Sequence, residues 1–162
     1  MGSGKRAHQG LMLTPEMKDL IATFPLGFVA TVCPDGTPAV SPKGTILVMD
    51  DHTITYSDIR SPGTRRNLTA NPAVEVNFID PFRRVALRAK GTAVLHAKGS
   101  DWFAAQHPRW LNAFGDLAHR IAGFVEIRLT DAKMIWTPPY DDGVTEDAMI
   151  ATYKTKFAEV YP

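Results

Sequence analysis

The chain has a single cysteine, Cys33, among its 162 residues. One thiol cannot close an internal disulfide, and zinc sites built on paired cysteines are excluded with it. Beside a proline at a strand end, Cys33 reads as an inert buried thiol rather than a nucleophile. Long apolar runs are also missing, since nothing approaches the roughly 20 residues of a membrane-spanning helix. The opening Met1-Gly2-Ser3-Gly4-Lys5-Arg6 lacks the apolar core of a secretory signal. Neither sign of charge dominates: 18 Lys and Arg stand against 17 Asp and Glu, a net +1. That balance gives no basic surface for nucleic acid or an anionic membrane. His-Glu-x-x-His, a nucleophile elbow, a Walker loop and Gly-x-Gly-x-x-Gly are all absent. His107 and His119 stand too far apart for one helical metal face, so no metal site is expected. The expectation is a cytoplasmic protein with neither a nucleic-acid nor a membrane partner.

What is present is ordinary globular composition, 44% hydrophobic and 22% charged. A chain of this length suits one domain burying about 70% of its unfolded surface. Residues 1–10 are expected to be a disordered or tag-derived extension, and residues 11–162 a single domain with a C-terminal tail helix. Thr14 caps a short helix carrying Met17, Leu20 and Ile21. Phe28–Cys33 and Pro38–Lys43 flank Asp35-Gly36, a hairpin signal, and the prolines of the return strand assign it to an edge or a bulge. Thr45–Met49, Thr53–Tyr56, Ala73–Ile79 and Val85–Leu95 read as further strands, the last bent at Gly91. Phe103, Trp110, Phe114, Leu117 and Ile121 form an apolar stripe over two helices expected to meet at His107-Pro108. A last strand spans Gly123–Trp136, and Glu146–Val160 reads as an amphipathic tail helix. About seven short strands with few helices predict a mainly antiparallel β-barrel with peripheral helices.

The stretch Tyr56-Ser57-Asp58-Ile59-Arg60-Ser61-Pro62-Gly63-Thr64-Arg65-Arg66-Asn67-Leu68 joins a strand to a helix. Ser61-Pro62 reads as an N-cap followed by proline at the first helical position. Arg60, Arg65 and Arg66 crowd the end of the helix where the macrodipole disfavours cations. They either fan into water or meet an anion, which the free N–H groups and hydroxyls there would also bind. A second basic spot is Ser41-Pro42-Lys43-Gly44, with Ser41 and Lys43 on one face by two-residue alternation. If the hairpin brings Lys43 to the helix start, the two spots offer ammonium, guanidinium and hydroxyl groups to a phosphate monoester. Otherwise they are unrelated surface features.

Two runs are similar to one known family. They are Ala30-Thr31-Val32 through Asp35-Gly36, Pro38, Val40-Ser41-Pro42-Lys43-Gly44, and Tyr56 to Leu68 followed by Asn71-Pro72 and Val74. Asn77-Phe78-Ile79-Asp80-Pro81-Phe82 and Lys90-Gly91-Thr92-Ala93 continue the match. Together they resemble the pyridoxamine 5′-phosphate oxidase-like family of split-barrel FMN-binding proteins, over about Phe28 to Leu95. The resemblance implies a six-stranded antiparallel split β-barrel and a homodimer with FMN at the subunit interface. It places the phosphate lysine on Lys43, with Ser41 beside it, and the basic hydroxyl-bearing helix start on Ser61, Thr64, Arg65, Arg66 and Asn67. Alignment on Gly63-Thr64-Arg65-Arg66 favours Thr64, Arg65 and Arg66, whereas alignment on Asn71-Pro72 shifts the correspondence by one. Tyr56 and Ser57 fall where the family's fourth strand passes the flavin, and Trp136 on a tryptophan reaching it from the partner subunit. No catalytic residue is implied. The substrate-binding Arg-x-His pair of true pyridoxine phosphate oxidases is absent after Trp136, and Pro38 replaces an arginine. The expectation is an FMN-dependent oxidoreductase acting on an unidentified small substrate or electron donor, and not on vitamin B6. The alternatives are a flavin carrier or sensor, or a deazaflavin- or haem-binding relative in which His96 and His119 are the histidines to test.

Overall fold

The structure, a computed structural model, describes residues 12–162. The expectation for residues 1–10 lies outside the described residues. Seven strands form one antiparallel sheet: β1 Gly27–Val32, β2 Pro38–Lys43, β3 Ile46–Asp50, β4 Thr53–Asp58, β5 Ala73–Asp80, β6 Val85–Ala97 and β7 Gly123–Trp136. Four α-helices accompany it: α1 Pro15–Thr23, α2 Pro62–Ala70, α3 Asp101–Phe114 and α4 Glu146–Val160. Among the described residues no helix is long and apolar enough to cross a membrane.

The sheet order is β2-β1-β5-β6-β7-β4-β3. Its two edges, β2 and β3, are consecutive in sequence and joined only by Gly44-Thr45. Two linking residues span about 11 Å at most, so the sheet must curl until its edges nearly meet. The architecture is a mainly antiparallel split β-barrel. The six-strand count is corrected to seven, and the barrel is not closed. Opening falls at β2, which carries Pro38 and Pro42. Proline has no N–H to give a further strand and is tolerated at an edge.

Alternate residues of the strands fill the interior. Val29, Ile46, Ile54, Tyr56, Val76, Phe78, Leu87, Val125 and Ile127 belong to one buried cluster, which Met17, Leu20 and Ile21 of α1 and Leu68 of α2 complete. A second cluster of Phe103, Trp110, Ala118, Ile121 and Phe124 lies outside the barrel wall, where α3 covers β7. The Trp110 indole Nε1 donates to the carbonyl of Thr45 at 2.9 Å, pinning α3 to the β2–β3 connection.

The expected break at His107-Pro108 is not there. Pro108 lies inside α3, which runs unbroken to Phe114 and is followed by a 3-10 segment, Gly115–Arg120. Proline deletes one N–H donor, but buried Phe103 and Trp110 flank it on one apolar stripe, and their packing outweighs the lost bond. The helix ends instead at Gly115, whose φ of 59° suits glycine. Leu117, expected in the stripe, is exposed, and Ala118 takes the buried position. The bend expected at Gly91 is a bulge, with the β6–β7 register shifting between Lys90 and Gly91. A Cβ there would stand 2.3 Å from the carbonyl oxygen of Arg128, so only glycine fits.

Candidate functional site

The two edges of the sheet leave a cleft of about 530 Å³ at the split, walled by the β2–β3 connection, the start of α2 and the end of the 3-10 segment. Its lining includes Ser41, Lys43, Ser57, Arg60, Ser61, Thr64 and Arg120. Neither a carboxylate nor a histidine is among the lining residues.

Lys43 ends β2 and is buried. Its Nζ donates to Ser41 Oγ at 2.6 Å and to Ser61 Oγ at 2.7 Å, so the hairpin and the helix start do meet. Both hydroxyls act as acceptors toward Lys43, which leaves their own hydrogens, and one ammonium hydrogen, for a further acceptor. Burial pushes the Lys43 ammonium below its ordinary value of 10.5, and the nearby charge of Asp58 offsets part of that. A buried cation whose hydrogen-bond partners are neutral hydroxyls is costly on its own, and an anion in the cleft relieves that cost.

The start of α2 has unspent donors on the same side of the cleft. Ser61 stands at the N-cap, but its side chain makes no capping hydrogen bond. Lys43 occupies that oxygen instead, so the first N–H groups of the helix keep their capacity for a ligand. Asp58, itself buried, accepts from Ser61 N at 3.1 Å and from Arg65 Nε at 2.7 Å. Arg65 is thereby spent on an internal ion pair. Arg66 is exposed and does not line the cleft. The arginines that do line it are Arg60 and Arg120, and among the described residues neither has a carboxylate partner. Arg120 carried no sequence signal, because its position depends on how the 3-10 segment returns to the sheet.

Of the residues singled out in the sequence, Ser41, Lys43, Ser57, Arg60, Ser61 and Thr64 share this cleft. Ser57 donates its hydroxyl to Thr45 Oγ1 at 2.6 Å. Tyr56 lies beneath it in the core, its ring centroid 5.9 Å from Lys43 Nζ. Burial, with the charge of Asp58, drives its phenol far above the ordinary value, so it stays protonated. Asn67 points away, donating to Thr31 Oγ1 on β1 at 3.1 Å. Trp136 sits at the far end of β7 against Tyr140, half exposed and remote from the cleft within one chain.

A second, apolar cleft of about 630 Å³ adjoins the first at Gly44, lined by Phe24, Pro25, Leu26, Phe28, Ile79 and Pro81. Among the described residues no histidine lines either cleft. His96 Nε2 is 2.7 Å from Glu126 Oε2, and its ring stacks on Trp102 at 3.9 Å. His119 is exposed beside Asp116. Among the described residues no group of three or more His, Cys, Asp or Glu could hold a metal ion. The donor set thus fits a phosphate joined to an apolar ring system.

The family model described as "Pyridoxamine 5′-phosphate oxidase" matches residues 13–138. HupZ of Group A Streptococcus is 30% identical over 78% of this chain and 96% of that chain, with a TM-score of 0.67. HutZ of Vibrio cholerae, described as a haem storage protein, is 20% identical over 76% of this chain and 94% of that one, with a TM-score of 0.61. An FMN-binding protein of Syntrophomonas wolfei is 11% identical over 73% and 82%, also at 0.61. The last two are likenesses of fold alone. No curated protein matches the chain.

Proposed function

This chain belongs to the pyridoxamine 5′-phosphate oxidase family, and from that premise we propose that it is an FMN-binding flavoprotein. In this reading it works as a homodimeric oxidoreductase on a small substrate other than vitamin B6. The observation that carries the reading is Lys43: a buried ammonium bonded to two hydroxyls, in a cleft with two unpaired arginines and no acid on its wall. The phosphate of FMN takes the cleft, and its ring system lies toward the apolar surface beyond Gly44.

The isoalloxazine supplies the redox chemistry when bound. The chain's own residues bind and orient it. Lys43, Ser41, Ser61 and the N–H groups at the start of α2 hold the phosphate, while Phe24, Leu26, Phe28 and Ile79 exclude water from the adjoining surface. No carboxylate or histidine lines either wall, since the apolar cleft adds only Arg84 to the charged groups. Titration of the purified protein with FMN, followed by flavin absorbance and native mass spectrometry, tests the reading. The expected species is a dimer carrying flavin; a protein that stays colourless at saturating FMN refutes it.

A haem reading has behind it the fold likeness to HutZ. It would have to draw on His96, which Glu126 and Trp102 clasp, or on exposed His119. A Soret band on haem addition without flavin uptake favours it. Flavin uptake without NAD(P)H oxidation in the presence of an acceptor favours a carrier or sensor.

A further inference from the structure

We propose that Arg120 is a third phosphate anchor, delivered to the cleft by the 3-10 segment after α3 and not by the strand–helix junction. The inference rests on the phosphate reading above. Lys43, Arg60 and Arg120 converge on one cleft from three separate parts of the chain. The nearby acid, Asp58, is engaged by Arg65. Asp58 offsets only part of the Lys43 charge, so the three cations still repel one another, and an anion bound among them removes that repulsion.

Arg120 is exposed, but the backbone that carries it is tied down on both sides. Ala118, two residues before it, and Ile121, the residue after it, are buried in the second apolar cluster. The imidazole Nε2 of His107, on α3, lies 2.9 Å from the carbonyl of Ala118, an acceptor, so this nitrogen donates. Ala122 N donates to the carbonyl of Asp58 at 2.8 Å, which sews the segment to the very turn that presents Arg60 and Ser61. The backbone at Arg120 is thus located by the ties at Ala118 and Ala122 and by buried Ala118 and Ile121, and His107 is a positioning residue for it. The cleft is complete only when α3 is docked.

The test is a fluorescence titration of apo protein with FMN and with riboflavin, which lacks the phosphate, alongside thermal melting. Arg120→Ala is expected to weaken FMN about tenfold or more, as loss of a charge-assisted hydrogen bond does. Riboflavin affinity should change less than about twofold, and Arg120→Lys should recover most of the loss. His107→Ala should lower the FMN-to-riboflavin ratio in the same sense but less. A merely structural role would lower both affinities together, and that result overturns the inference. If Lys43→Ala abolishes the FMN preference while Arg120→Ala leaves it intact, the phosphate reading stands and Arg120 is not an anchor. A wild-type protein that binds FMN no better than riboflavin overturns both.

Discussion

At the scale of single residues, Lys43 decides the chemistry of the cleft. Its partners are hydroxyls, so removing it takes away a charge without orphaning another. Lys43→Ala should weaken FMN by about 1.5–3 kcal/mol, the worth of a hydrogen bond to a charged group, and leave riboflavin nearly unaffected. Equal losses would show that Lys43 touches something other than phosphate. Burial has lowered its folded-state value below 10.5, so the free protein loses this charge earlier on alkaline titration than an exposed lysine would. The FMN-to-riboflavin affinity ratio should therefore begin to fall below pH 10.5. Lys43→Arg, which stays charged, should remove the fall, and a ratio flat through that range in the wild type contradicts the assignment. Lys43 and Ser41 were legible because strand alternation puts them on one face. Ser61 was legible as the N-cap position, but its missing capping bond was not, since a sequence cannot say which of two donors a hydroxyl will accept from. Arg65 illustrates the same limit: its charge was evident, but its capture by Asp58 seven residues earlier appears only once the strand end and helix start are folded together.

At the scale of elements, the strands and most helices followed from periodicity, turns and caps, because their signals are local. Thr14 and Thr145 cap α1 and α4 as side-chain acceptors. Pro108 misled because the local rule for proline competes with packing by Phe103 and Trp110, which only the tertiary fold supplies. Gly91 shows the opposite case, a local signal with a tertiary cause. Gly91→Ala would drive a methyl into the backbone of Arg128, and overpacking of this kind costs about 1–3 kcal/mol. The melting temperature should drop by several degrees, and an unchanged melting point would mean that the bulge relaxes freely. The β6–β7 pair also carries the His96–Glu126 contact under α3. Burial pushes the Glu126 carboxyl up, but hydrogen bonds from Arg128 and His96, with their charges, outweigh it and hold the group below its ordinary 4.5. A depressed carboxyl contributes stability above the unfolded value, and that contribution is lost as pH falls through the folded one. Urea midpoints of the wild type should decline as pH falls below about 4.5. Glu126→Gln should decline less over the same interval, and parallel curves would show that Glu126 contributes nothing to acid stability.

At the scale of the whole molecule, the curled sheet has one face that no helix among the described residues covers. Register places Phe28 and Ala30 of β1, Val40 and Pro42 of β2, and Ile79 of β5 on the outside of the barrel together. Val40 is 64% exposed and Leu26, just before β1, is 50% exposed. A contiguous apolar surface of this kind marks a contact site, and it runs into the apolar cleft that meets the cationic one at Gly44. The split barrel thus presents its cationic cleft and its uncovered face as one continuous strip, which an isologous pairing would close over a bound ring. Trp136, remote from the cleft within one chain, has a role in the site only if a second copy brings it there. That consequence was unreadable from residue patterns, since they show which face of a strand is apolar but not what lies opposite. If the wild type pairs through this face, as proposed, Val40→Glu should yield a monomer by sedimentation where the wild type sediments as a dimer. It should weaken FMN and riboflavin by the same factor, because both share the ring and Val40 lies off the phosphate. This is the reverse of the pattern expected for Lys43→Ala and Arg120→Ala, so the two halves of the site can be told apart. A monomeric variant that binds both flavins as tightly as the wild type would place the entire flavin site within one chain and leave Trp136 without a part in it.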